Sequence, residues 1–171
     1  MSGIDVSPVT PDDALAFITL YRFYWYDFTE FTDEDVDADG RFDDHFAEAY
    51  LTKPLHTAYL FRVEGHPAGL AVVRSCDAVD GSGTVTDMEQ FFVMRKYRRH
   101  GAGEAAAHWL FDRYPGRWQV RERANNLPAH AFWRAIIGRY TAGQFTELSS
   151  ESSPTGGPVQ FFEAPHTDPG T

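Results

Sequence analysis

The sequence predicts a mixed α/β (α+β) fold whose elements run β-α-α-β-β-β-α-β-α-β-β. Two observations carry this. Apolar runs of strand length alternate with stretches of helical spacing, in a largely antiparallel first half and a βαβ unit in the second. The chain has 171 residues, 43% hydrophobic and 23% charged, which suits one core burying about 70% of the unfolded surface. One domain over residues 1–163 is expected, with 164–171 as a disordered tail.

The elements follow from local chemistry. After a first strand, Thr10-Pro11-Asp12-Asp13 is a helix start: Thr as N-cap, Pro at the first position and an acid at the third. The helix runs to about Tyr26. Seven aromatic residues fall between Tyr21 and Phe31, and aromatics dominate core packing. They read as a helix packed on a sheet, with its remaining rings lining a cleft. Residues 27–41 are acidic and turn-like, and Phe42 to Leu51 forms a short helix. Thr57 to Val63 and Ala68 to Arg74 read as a hairpin around Glu64-Gly65-His66-Pro67. Thr84 to Val93 is a long strand with Val85, Asp87, Glu89, Phe91 and Val93 on one face.

A basic glycine loop leads into a helix from about Gly103 to Tyr114, with Ala105, Ala106, Trp109 and Leu110 at helical spacing. Pro115-Gly116 ends it, and Trp118 to Arg121 is a short strand. Asn125 or Asn126 caps the next helix, which buries Ala129, Phe132, Trp133, Ile136 and Tyr140. Gln144 to Leu148 and Val159 to Phe162 form a last hairpin around the polar loop Ser149 to Gly157.

The formal net charge is −10, so whole-protein attraction to nucleic acid or to an anionic membrane is not expected. The charge is polarised. Ten acids and one base lie between Asp27 and Glu48; ten bases and three acids lie between Met94 and Arg139. Two solvated faces would explain this, and so would a local anionic ligand on the basic side. Cys76 is the single cysteine, which excludes an internal disulfide and suits a reducing compartment. The first residues lack the basic and apolar blocks of a signal peptide, and Ala14 to Tyr21 is far short of the ~20 residues a membrane span needs. A cytoplasmic location is expected.

Phe91 to Gly103 carries the chemistry. A strand enters a loop whose two glycines sit at a helix start. There, backbone N–H groups and the helix dipole favour an anion. Glycine lets a phosphate approach the backbone, and Lys96, Arg98 and Arg99 supply counter-charge. This is a pyrophosphate site. A Walker loop needs Gly-Lys-Ser/Thr, which is absent. A dinucleotide fingerprint tolerates Ala106 as its third small residue, but its later acid meets the mixed run Arg121-Glu122-Arg123. The acetyl-CoA loop, Arg/Gln-x-x-Gly-x-Gly/Ala, is the third class.

On Arg98-x-x-Gly101-x-Gly103, with Val93 five residues earlier, the chain resembles the GNAT superfamily of acyl-CoA-dependent N-acetyltransferases. Asn126-Leu-Pro-Ala129-His-Ala-Phe132-Trp133 is similar to the family's Asn-x-x-Ala-x-x-Phe-Tyr. The resemblance covers about residues 4–163, with specific motifs in 85–133. It implies a GNAT-like mixed sheet with helices on both faces, and acetyl-CoA as cosubstrate. Phe91, Phe92 and Val93 would splay the strand to take pantetheine. Arg98, Arg99, His100, Gly101, Ala102, Gly103 and Glu104 would bind pyrophosphate, and Asn126 and Trp133 would meet the pantetheine arm. Met88-Glu89-Gln90-Phe91-Phe92-Val93-Met94 looks like the same strand in diamine and polyamine acetyltransferases, Leu-Glu-Asp-Phe-Phe-Val-Met.

An attacking amine must lose a proton, and a carboxylate near the strand end can take it. Glu89 matches the polyamine-type position and Asp87 the histone-type one. Alternatively, each is a strand residue that only holds a cationic substrate. Trp133 stands where the family often has the tyrosine that protonates the departing thiolate, and indole is no acid near neutral pH. A thiol of pKa ~8.5 is already a good leaving group, and Tyr97 and Tyr140 are substitutes. The expected reaction is acetyl transfer from acetyl-CoA to a primary amine, probed against two rivals: a protein N-terminus or lysine as acceptor, and a silent acyl-CoA-binding module. A homodimer is compatible with the resemblance. No metal is expected: Asp35-x-Asp37-x-Asp39-Gly40 starts like a calcium loop, but its twelfth position is Phe46 rather than Glu, and the seven histidines show no ligand spacing.

Overall fold

The computed structural model describes residues 3–42 and 45–166. The elements are β1 (Ile4–Pro8), α1 (Ala14–Phe28), α2 (His45–Tyr50), β2 (His56–Val63), β3 (His66–Asp77), β4 (Thr84–Val93), α3 (Ala102–Arg113), β5 (Gly116–Arg121), α4 (Leu127–Tyr140), β6 (Phe145–Leu148) and β7 (Val159–Ala164). Their order is the one the sequence predicts. They form a seven-stranded mixed sheet, β1-β2-β3-β4-β5-β7-β6. β4 pairs with β5 in parallel, whereas β1–β2, β5–β7 and β6–β7 are antiparallel.

Contacts divide the chain into two compact units, Met1–Val73 with Gln90–Ala106, and Arg74–Glu89 with Ala107–Thr171. In the first, Thr10 closes a capping box: its N–H and its hydroxyl both donate to Asp13 Oδ2. Pro11–Asp13 is a 3-10 turn that leads into α1. Phe17, Leu20 and Tyr21 of α1 are buried against Leu60, Leu70, Val72, Tyr50 and Phe92. The aromatic run continues outward through Tyr24, Trp25 and Phe28, in ring contact at 5.3–6.0 Å. Its other face is exposed at Phe23 and Tyr26.

The β2–β3 hairpin is tighter than the sequence predicts. Glu64 and Gly65 both take positive φ, 51° and 79°, so two residues complete the turn and His66 and Pro67 already belong to β3. Six consecutive residues of β3, Ala68–Val73, are buried, as in a strand covered on both faces. Gly69 is required there: a Cβ would meet Phe92 O at 2.3 Å and the Phe61 ring at 2.8 Å.

In the second unit, Trp118 of β5 pairs in register with Phe162 of β7, and their rings stack with centroids 6.1 Å apart. Phe111 of α3 meets both rings edge-on, at 5.0 and 4.7 Å. Val85, Ala78, Val159 and Phe161 extend the apolar packing. β7 reaches Ala164, one residue into the expected tail; residues 167–171 of that tail lie outside the described residues. Among the described residues no helix is long and apolar enough to cross a membrane.

Candidate active site

The first unit builds the glycine loop. β4 ends at Val93, Arg95–Tyr97 makes one 3-10 turn, and Arg98 is extended. Arg99 and Gly101 then take positive φ, 63° and 83°. A left-handed arginine stores about 1 kcal/mol of strain or more, and such strain clusters at binding loops. Gly101 O accepts from Ala105 N at 2.9 Å, the first bond of α3. In the first turn, the N–H groups of Ala102 and Gly103 therefore have no acceptor within the helix. Gly101 is exposed, and a Cβ there would meet nothing within 4 Å, so the approach to this helix start is open. Backbone donors, the positive end of a twelve-residue helix and an open glycine suit an oxyanion.

Arg98 does not simply project into solvent. Its Nε donates to Val93 O at 2.7 Å, its Nη2 pairs with Asp27 Oδ2, and its guanidinium lies 5.6 Å from the Phe92 ring centroid. Arg95 Nε donates to Asp27 Oδ1 at 2.9 Å. His100 Nδ1 is 2.7 Å from Arg98 O, inside the loop. Phe92 is buried, and Phe91 contacts Phe61 at 5.3 Å.

The second unit holds the carboxylates. Asp87 has no exposed surface. Arg121 donates to both of its oxygens, Nε to Oδ1 at 3.1 Å and Nη2 to Oδ2 at 2.7 Å; Arg74 Nε reaches Oδ2 at 2.9 Å. Three charge-assisted hydrogen bonds engage this carboxylate, which suits an anchor better than a proton acceptor. Glu89 Oε2 lies 3.4 Å from Arg74 Nε, and its side chain keeps 14% of its surface. The β4–β5 ladder spans Thr86–Met88 on β4, and the strand continues five residues further to Val93. Cys76, beside Gln119 Nε2 at 3.6 Å, has its thiol pushed up by burial and then by Asp87, the reverse of a reactive cysteine.

Asn126 is the N-cap of α4: its Oδ1 accepts from Ala129 N at 3.1 Å. Trp133 is 5% exposed and packs with Phe132 and Phe111. Tyr140 donates its hydroxyl to Asp112 Oδ1 at 2.7 Å; burial and then this bond push its proton affinity up, away from that of a general acid. Tyr97 packs beneath the Lys96 ammonium at 5.2 Å. In the acidic loop, Asp37 Oδ1 accepts from the Asp39 and Arg41 N–H groups at 2.9 Å, closing a turn. Among the described residues, no group of three or more His, Cys, Asp or Glu could hold a metal ion.

The glycine loop and the Asn126 cap lie where the sequence places them, and Asp87 and Glu89 stand two residues apart on β4. Sequence reasoning missed Asp27 as the partner of Arg95 and Arg98, and Arg74 and Arg121 as partners of Asp87. Separations of 71 and 34 residues leave no periodic signal. It also missed a buried cluster. Glu122 is pushed up to about 8 by burial and then by Glu147, while Gln160 Nε2, which donates to it at 3.3 Å, opposes the shift. The same amide donates to Glu147 at 2.7 Å, and His130 Nε2 lies 2.9 Å from that carboxylate.

Comparison with known proteins agrees with this architecture. An acetyltransferase of Thermus thermophilus superposes with a TM-score of 0.62 at 16% identity, over 92% of this chain and 94% of that one. The ribosomal-protein-S18-alanine N-acetyltransferase of Escherichia coli gives 0.59 at 14% identity, over 99% of each chain. AAC(6')-Iy, solved with the bisubstrate analogue CoA-S-monomethyl-acetylneamine, gives 0.55 at 17% identity, over 79% of this chain and 90% of that one. At these identities the likeness is one of fold. No curated protein matches the sequence. Residues 16–138 match the model of the Acetyltransferase (GNAT) family. That span is most of the chain, and it contains the strand, the glycine loop and the capped start of α4 described above: the chain belongs to the GNAT acetyltransferase family.

Proposed function

We propose that this protein transfers an acetyl group from acetyl-CoA to a primary amine, by direct transfer in a ternary complex. The observation that carries the reading is the open, left-handed Gly101 at the start of α3. The loop Arg98 to Glu104 takes the pyrophosphate through backbone N–H groups, Val93 and its neighbours meet pantetheine, and Asn126 and the region of Trp133 hold its arm. Glu89 removes the amine proton during attack on the thioester carbonyl, and the thiolate leaves without an assigned acid. The preference for Glu89 over Asp87 comes from the second unit: Asp87 is fully buried between two arginines, whereas Glu89 keeps some exposure.

The acceptor is a cationic or neutral amine of a small molecule. The acids between Asp27 and Glu48 favour a cation, and residues 33–41 are exposed. A salt-dependent KM for a polyamine acceptor follows from this. A second reading is a silent acyl-CoA-binding module, favoured by the packed Trp133 and the engaged Tyr140 hydroxyl. Release of free thiol from acetyl-CoA across an amine panel separates the two. Turnover with polyamines or other small amines supports the enzyme; binding of acetyl-CoA without release for any amine, peptide N-terminus or lysine supports the module.

A further inference from the structure

Asp27 lies in the last turn of α1, where the helix's negative end disfavours an acid. Two arginines of the glycine loop offset this. Arg95 places Nε and Nη2 at 2.9 and 2.8 Å from Asp27 Oδ1, and Arg98 pairs its Nη2 with Oδ2. Asp27 keeps 16% of its side-chain surface, against 41% for Arg98 and 72% for Arg95. The basic cluster is thus not a bare anion site. A carboxylate already stands in it, on the same arginine that the family signature begins with.

We propose that Asp27 is an internal counter-ion of the cofactor loop, which holds Arg98 until a pyrophosphate takes its place and thereby sets the affinity for the cofactor. This rests on the acetyl-CoA reading above. The physical argument is one of like charges. Phosphate oxygens drawn to the helix start and to Arg98 meet the Asp27 carboxylate across the same guanidinium, and the two anions compete for its Nη2 edge. Asp27 lowers the affinity for any ligand carrying phosphates and is indifferent to the part of the ligand that carries none. A rigid strut would behave in the opposite way: its loss would loosen Arg98 and weaken the phosphates.

The test is the affinity of wild type and Asp27→Asn for CoA, by calorimetry at low and high salt, beside that for S-acetylpantetheine, by ligand-observed NMR. The expected result is CoA bound about three- to tenfold tighter by the variant at low salt, a gap that narrows as salt rises, and no change for S-acetylpantetheine. Unchanged or weaker CoA binding overturns the proposal, and so does an equal gain for both ligands. Asp27→Ser carries the same expectation should Asp27→Asn fold poorly; if neither folds, Asp27 is a strut and the proposal falls. A wild-type chain that binds no CoA overturns the acetyl-CoA reading itself, a result distinct from the others.

Discussion

Asp87 and Arg121 form a two-pronged ion pair: both carboxylate oxygens accept from one guanidinium, at 2.7 and 3.1 Å, and Asp87 has no exposed surface. Arg74 adds a third bond, to Oδ2 at 2.9 Å, and reaches Glu89 at 3.4 Å. Two acids two residues apart on one strand therefore have different environments, one sealed between guanidiniums and one at the margin.

Asp87→Asn removes the charge that two partly buried arginines share. Breaking such a pair leaves guanidinium charge without its counter-charge, and the expected loss of stability is about 2–4 kcal/mol. Urea unfolding checks this. A midpoint equal to wild type would show that the arginines find solvent instead.

Glu89→Gln, in contrast, should lower kcat by about a hundredfold and change stability by less than ~1 kcal/mol. Thiol-release kinetics and a thermal melt, run on the same preparation, read both. A large loss of stability with little change in kcat reverses the roles of the two acids.

The sequence carries the element order and the glycine loop because both rest on local chemistry. Gly101 and Gly103 sit at fixed offsets from Val93 and Arg98, and Thr10 and Asn126 cap helices through bonds three residues long. The alternation of β4 placed Asp87 and Glu89 on one face, and Arg74 touches both. What the sequence could not give were the partners. Asp27 lies in an acidic run that reads as a solvated loop, and nothing local marks it as the residue that meets Arg95 and Arg98. The β2–β3 turn is two residues shorter than the sequence suggests: Pro67 reads as a turn residue, whereas the left-handed Glu64-Gly65 pair completes the turn alone.

Glu122 should make stability fall as pH rises. In the unfolded chain a glutamate loses its proton near 4.5, and in the fold burial raises this to about 8. Between these values the native state holds a proton that the unfolded state has lost, so each step up in pH favours unfolding until the penalty is complete above about 8. Glu122→Gln should remove that slope and be more stable than wild type by about 1–3 kcal/mol at pH 9. Urea midpoints from pH 5 to 9 measure it; parallel curves for the two proteins would contradict it.

Trp133→Phe trims a ring that is 5% exposed beside Phe132 and Phe111, and should cost about 1–2 kcal/mol. Because indole is not an acid, the alkaline limb of the pH–rate profile should persist while affinity for acetyl-CoA falls. Loss of a titration step with unchanged binding would assign Trp133, or what it holds, to proton transfer.

Calorimetry of acetyl-CoA binding to wild type, Gly101→Ala and Gly101→Glu decides whether the loop from Arg98 to Glu104 takes the acetyl-CoA pyrophosphate. Space above Gly101 is open, so alanine adds mainly backbone strain and should leave binding within a few-fold. Glutamate adds a like charge and a side chain at the helix start, and should weaken binding by about tenfold or more. Gly101→Glu binding acetyl-CoA as tightly as wild type would contradict the site.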